Sequence, residues 1–181
     1  MAGKGKLNPV SYQAVKRAPR TPPAPSAAFP VAKIVSGGQT GVDRAALDFA
    51  LEHGLPHGGW CPRGRRAEDG VIEPGYELKE TPETAYPQRT EWNVRDADGT
   101  VIFTVARELT GGSALTRELA TEYRKPCLHL SQEVDGQTAP QKLREFLRRH
   151  KIKTLNVAGP RLSTEPAARA FATRVLETIA R

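Results

Sequence analysis

No run of this chain stays apolar for the ~20 residues that a membrane-spanning helix needs, so membrane insertion is not expected. The basic N-terminus does not continue into the apolar core of a secretory signal, and a cytoplasmic location is expected. Cysteine is scarce. Cys61 and Cys127 fall in different predicted elements, which suits two free thiols in a reducing compartment. Acid is missing from residues 1–30, which carry Lys4, Lys6, Lys16, Arg17 and Arg20. Of the 27 basic residues, the 22 that remain face 20 acids, so the net charge of +7 is mostly a property of that segment. Aromatics make up only 6%, without a platform interleaved with bases, so nucleic-acid binding is not expected.

The common nucleotide signatures are also missing. No G-x-G-x-x-G follows the first predicted strand, which argues against ordinary dinucleotide binding, and no G-x-x-x-x-G-K-[ST] exists. The four histidines are scattered, and His57 with Cys61 is no metal set without two more ligands. Asp96-Ala97-Asp98-Gly99 lacks the further ligands of a calcium loop and reads as a turn. No structural metal and no Ser-His-Asp or Cys-His arrangement is expected.

What is present suits one soluble domain: 181 residues, 38% hydrophobic, 26% charged, mean hydropathy −0.50. At about 150 ordered residues roughly 70% of the unfolded surface can be buried without a staple. Residues 1–30, with six prolines and no apolar periodicity, read as a disordered basic tail, and 31–181 as the domain. Val31–Val35 reads as a buried strand, and residues 41–53 as a helix with Val42, Ala46, Phe49 and Ala50 on one face, stopped by Gly54 and Pro56. A second strand is expected at Gly59–Pro62, a long loop over 63–82, and a helix over Thr84–Val94. A core strand is expected at Val101–Val105, a helix from Thr110 to about Tyr123, and a strand at Pro126–Leu130. The helix over 138–150 places Leu143, Phe146, Leu147 and His150 at core spacing. Thr154–Ala158 is the last strand, and the last helix starts from Ser163 or Thr164 as N-cap. Strands alternating with helices imply an α/β, Rossmann-like parallel sheet with helices on both faces.

Three strand-to-helix turns carry the chemistry: Ser36-Gly37-Gly38-Gln39-Thr40-Gly41, Thr110-Gly111-Gly112-Ser113, and Ala158-Gly159-Pro160-Arg161-Leu162-Ser163. In a parallel sheet they share the carboxyl edge, where open α/β folds bind ligands. Glycine admits an anion close to the backbone, and the helix that follows offers free N–H groups and a positive dipole end. One such turn serves tight turning as readily as binding. Two Gly-Gly turns with hydroxyls favour a phosphate or similar anion. The loop Arg63–Gly70 is the densest basic cluster of the domain. Its arginines suit phosphate or a polar ring edge, and a solvated loop with local Arg–Glu pairing is the competing reading.

The run from Ser36 to Leu47, Ser-Gly-Gly-Gln-Thr-Gly-Val-Asp-Arg-Ala-Ala-Leu, resembles the opening motif of the molybdenum cofactor carrier proteins. These form the circularly permuted YpsA-type branch of the SLOG, lysine-decarboxylase-like Rossmann superfamily. Gly59–Pro62 with Gly64–Gly70, Asn93–Thr100 and Thr110–Thr116 fit the same family, and the match spans roughly 32–160. The resemblance implies a Rossmann-like fold, a homo-oligomer (dimer or tetramer), and binding of molybdenum cofactor (molybdopterin) or another phosphorylated, nucleotide-like small molecule. The residues expected to hold it are Ser36, Gly37, Gly38, Gln39 and Thr40, Arg44 behind them, Arg65 and Arg66 of the basic loop, and Gly111, Gly112, Ser113 and Thr116. A related branch hydrolyses nucleoside monophosphates with P-G-G-x-G-T-x-x-E. Over Thr110–Glu118 only the two glycines and the final Glu118 match. No catalytic residue is therefore expected, with Glu118 of a hydrolase as the alternative.

Overall fold

The computed structural model describes residues 29–180. The expected tail lies outside the described residues except for its last two, of which Phe29 packs edge-on against Phe49 at 6.4 Å between ring centroids. In chain order the elements are β1 (Lys33–Val35), α1 (Val42–Glu52), β2 (His57–Gly58), β3 (Trp60–Cys61), β4 (Arg66–Ala67), β5 (Gly70–Val71) and β6 (Lys79–Glu80). They continue with α2 (Tyr86–Asp96), β7 (Gly99–Thr104), α3 (Gly111–Glu122), β8 (Cys127–Ser131) and α4 (Gln132–Asp135). The chain closes with α5 (Ala139–His150), β9 (Thr154–Ala158) and α6 (Pro166–Leu176), followed by a 3-10 turn, Glu177–Ile179.

Five strands form one sheet in the order β2-β1-β9-β7-β8, and every pairing in it is parallel. The α/β Rossmann-like expectation is borne out. Counted from β9 instead of β1, these strands run 3-2-1-4-5, the doubly wound order. The chain is therefore a circular permutation of that fold, and the point where the order reverses lies between β9 and β7. Adjacent residues of a strand face opposite sides. Val101 and Phe103 of β7 join the core cluster built with α1, α5 and α6, whereas the buried Ile102 between them does not. Ile102 therefore faces the second layer, where Val94 of α2 and Ala120 of α3 are also buried.

The structure departs from the sequence reading where tertiary contacts outrank local pattern. The expected strand at Gly59–Pro62 shrinks to β3, which pairs with β6 outside the main sheet, while the strand that joins the main sheet is β2, just before it. Gly59 makes the break, with φ +123, and a β-carbon there would lie 2.2 Å from the Ser36 carbonyl oxygen. The expected loop over 63–82 contains the small β4–β5 hairpin and β6. The short helix α4 was not expected. The last helix starts at Pro166 with Glu165 as its N-cap residue, rather than at Ser163 or Thr164, because proline suits the first helical position. His150 is exposed rather than in the core, lying against the Phe146 ring at 5.1 Å. Both cysteines are free, Cys61 buried and Cys127 half-buried. Among the described residues no helix is long and apolar enough to cross a membrane.

Candidate functional site

The turns after β1 and β9 meet the start of α3 at the carboxyl edge of the sheet. Between them, beside the reversal of strand order, opens a polar cavity of about 370 Å³. Gln39, Arg89, Thr104, the stretch from Thr110 to Ser113, the Gly159–Arg161 turn, and Ser163 to Glu165 line it. Its size falls within the range of small-molecule sites.

The donors inside it are unusual. Gln39 is only 5% exposed. Its Oε1 accepts the backbone N–H groups of Thr40 at 3.0 Å and Glu68 at 2.9 Å, which fixes the amide orientation. Among the described residues, the Nε2 is left buried without a partner, as is Nε of Arg89. Most buried polar groups are paired, and an orphan N–H costs about 1–3 kcal/mol. Two such donors on residues that line one cavity single it out as the candidate site.

Gly112 shows the same openness. Its φ is not positive, and a β-carbon there would meet nothing within 4 Å. Neither strain nor packing demands glycine, so its effect is a bare backbone at the cavity. Gly111 has φ +51, which favours glycine, and its surroundings are equally open. As first-turn residues of α3, both have amides with no intrahelical carbonyl to bond. Gly37 is different: a β-carbon would lie 1.8 Å from Arg89 Nη1, so glycine makes room for the guanidinium.

Arg89 comes from α2 and is held on both sides. Its Nη1 donates to Asp43 at 3.0 Å, and the guanidinium lies 5.8 Å from the Tyr86 ring centre. Arg161 approaches the same ring at 5.5 Å. Burial pushes the Asp43 carboxyl above its ordinary value, opposed by the Arg89 charge and by the Gln39 amide. Sequence reading missed Arg89, because nothing local in α2 separates it from a surface arginine. Arg161 lay in a turn already singled out, and its place beside that glycine was the available signal.

The other expected ligand residues divide. Gly37, Gly38 and Thr40 share the β1 turn with Gln39. Ser113 is a buried cavity residue, but its N–H already bonds the Thr110 carbonyl at 3.1 Å. Ser36 is fully buried and donates to the Val157 carbonyl at 2.7 Å, tying β1 to β9. Thr116 bonds back to the Gly112 carbonyl at 2.7 Å. Arg44 forms a fork with Asp69, at 2.5 and 2.7 Å. Arg65 is spent on the carbonyls of Ile72, Glu73, Tyr76 and Leu78, bracing the following loop. Arg66 is exposed on β4, and Glu118 is exposed on α3. The loop thus turns acid rather than base toward the site. Glu68 accepts hydrogen bonds from the hydroxyls of Thr40 and Ser163. Burial opposes ionisation of Glu68, but the bonds from Ser163 and Thr40 outweigh it and hold the carboxyl below its ordinary range.

A larger cavity of about 600 Å³ opens at the amino ends of β1 and β9, rimmed by Arg144, Arg148, Lys151 and Lys153. Its walls are mainly apolar, and none of the three glycine turns reaches it. Size alone would favour it. The orphan donors and the helix N-terminus favour the smaller cavity. Among the described residues no three His, Cys, Asp or Glu gather as a metal set.

A family model described as the circularly permutated YpsA SLOG family matches residues 34–180. Among solved structures, the chain is similar to a proposed molybdenum carrier protein from Syntrophus aciditrophicus SB. The two share 45% identity over 83% of this chain and 96% of that one, with a TM-score of 0.81. No curated protein matches.

Proposed function

The chain belongs to the circularly permuted YpsA SLOG family, and from that premise we propose that it is a carrier of a phosphate-bearing small molecule, with molybdenum cofactor as the cargo. The observation that carries this reading is the pair of buried donors without a partner among the described residues, Gln39 Nε2 and Arg89 Nε, on two residues that line one polar cavity. The ligand's phosphate lies on the amides of Gly111 and Gly112, at the positive end of α3, where an anion is favoured. Arg89 and Arg161 supply positive charge, and Gln39 Nε2 donates to a polar edge of the ring system. The name given to the structural neighbour supports the choice of cargo. Capture and shielding need no reacting group, and the exposed position of Glu118 favours carriage over hydrolysis. The protein acts in the cytoplasm as a homo-oligomer in this reading.

Native mass spectrometry of the protein purified from its own cells tests the proposal. A retained phosphorylated pterin with the molybdenum isotope pattern is the expected result. A retained molecule without phosphate or another anionic group would overturn it.

A further inference from the structure

The β4–β5 hairpin ends in a two-residue turn, Glu68-Asp69, and both acids are anchored on the β1 side of the site. Asp69 takes the Arg44 fork. Glu68 reaches further. One carboxylate oxygen accepts the Thr40 hydroxyl and the Ser163 N–H at 3.2 Å. The other accepts the Ser163 hydroxyl and lies 3.9 Å from Arg161 Nε. Two hydroxyls, one amide and one guanidinium from two different strand-to-helix turns thus converge on a single anion, a donor set that suits a tetrahedral oxyanion equally well. Ser163 and Arg161 also line the cavity, so this cradle adjoins the place assigned above to the ligand's phosphate. The orphan Nε2 of Gln39 marks the same boundary, since the other end of that amide holds the Glu68 backbone.

We propose that Glu68 is a built-in anion occupying a second oxyanion subsite, formed by Thr40, Ser163 and Arg161, from which a ligand's second phosphate-like group displaces it. The inference rests on the reading of the adjoining cavity as an anion site. It extends the ligand class to molecules with two anionic groups. The hairpin is suited to yield. Its strands are two residues each, Val71 is 74% exposed, and a β-carbon on Gly70 would meet nothing within 4 Å. Its base stays fixed, because Arg65 holds the loop that follows.

Calorimetric titration of the full chain with inorganic phosphate separates the two sites. Wild type binds one equivalent, and Glu68→Ala and Glu68→Gln add a second at least about tenfold tighter than any second event in wild type, a difference of ~1.4 kcal/mol. In the Glu68→Ala background, Thr40→Val or Thr40→Ala removes only the second equivalent, and Gly112→Val removes only the first. Thermal melts confirm folding, and the two substitutions at Thr40 guard against one variant failing. One equivalent in both wild type and the Glu68 variants overturns the second subsite while leaving the first. A single equivalent gained only in the Glu68 variants, and lost with Thr40→Val, overturns the first site and keeps the second. No binding in any form overturns both.

Discussion

Arg89 Nη1 donates to Asp43 Oδ2 across 3.0 Å, and the carboxylate is almost wholly enclosed. The pair sits under the candidate site, so one contact serves both the fold and the ligand. Breaking a buried pair from one side leaves a stranded charge, which costs about 3–5 kcal/mol. Arg89→Ala is expected to lower stability by that order and to abolish anion binding. Burial already raises the Asp43 pKa above its ordinary 3.8, and loss of Arg89 raises it further. A carboxyl with a raised folded pKa contributes stability below its unfolded value and loses it as pH rises through the folded value. The stability gap between wild type and Arg89→Ala therefore narrows on acidification, as read by denaturant melts across pH. A gap that widens would show that the pair does not govern it.

Two glycines make opposite predictions. Gly59→Ala drives a β-carbon to 2.2 Å from the Ser36 carbonyl oxygen at φ +123. It should cost about 1–3 kcal/mol or more, because backbone must move. Gly112→Val projects into open space, should change stability by less than ~1 kcal/mol, and should lower phosphate affinity at least tenfold. Melting curves and titration calorimetry check both. Equal phosphate affinity in Gly112→Val and wild type would remove the helix start from the site.

His129 on β8 shares a hydrogen bond of 2.6 Å with Thr104, a cavity residue. Burial, aided by the Arg117 charge, lowers its pKa below the ordinary 6.5, against the opposite pull of Asp135, Glu165 and Glu108. A depressed histidine contributes stability above its unfolded pKa and loses it as pH falls toward the folded one. Stability should fall as pH drops through and below the ordinary histidine value of 6.5, and His129→Gln should flatten that slope. An unchanged slope would place the titration elsewhere.

Glu118→Ala should leave phosphate affinity within about twofold of wild type, since the side chain is exposed on α3. Wild type should release no base from AMP, GMP or IMP. Base release that disappears in Glu118→Ala would restore the hydrolase alternative.

The fold was legible because β7 and β9 are short apolar strands, each followed by a glycine turn and a helix. Local pattern and tertiary structure agree there. The region after β2 was not legible. Gly59 turns the chain where a β-carbon would not fit against Ser36, which lies next to it only in space. The same holds for the site. The glycine turns pointed to the edge that carries the candidate cavity, but Arg89 reaches it from α2, 46 positions from its partner Asp43. The direction of the charges in the basic loop was not legible, because composition counts charges without direction. Arg65 turns to four carbonyls, and Glu68 turns to the turns.

In the proposed reading the anion sits in the cavity between β7 and β9, rather than in the larger basic-rimmed cavity at the opposite edge. A crystal soaked in tungstate, read by its anomalous difference map, tests this most directly. The strongest peak is predicted within hydrogen-bonding reach of the Gly112 amide and the Arg89 guanidinium. A peak confined to the rim formed by Arg144, Arg148, Lys151 and Lys153, with nothing at Gly112, would move the anion site to the opposite edge of the sheet.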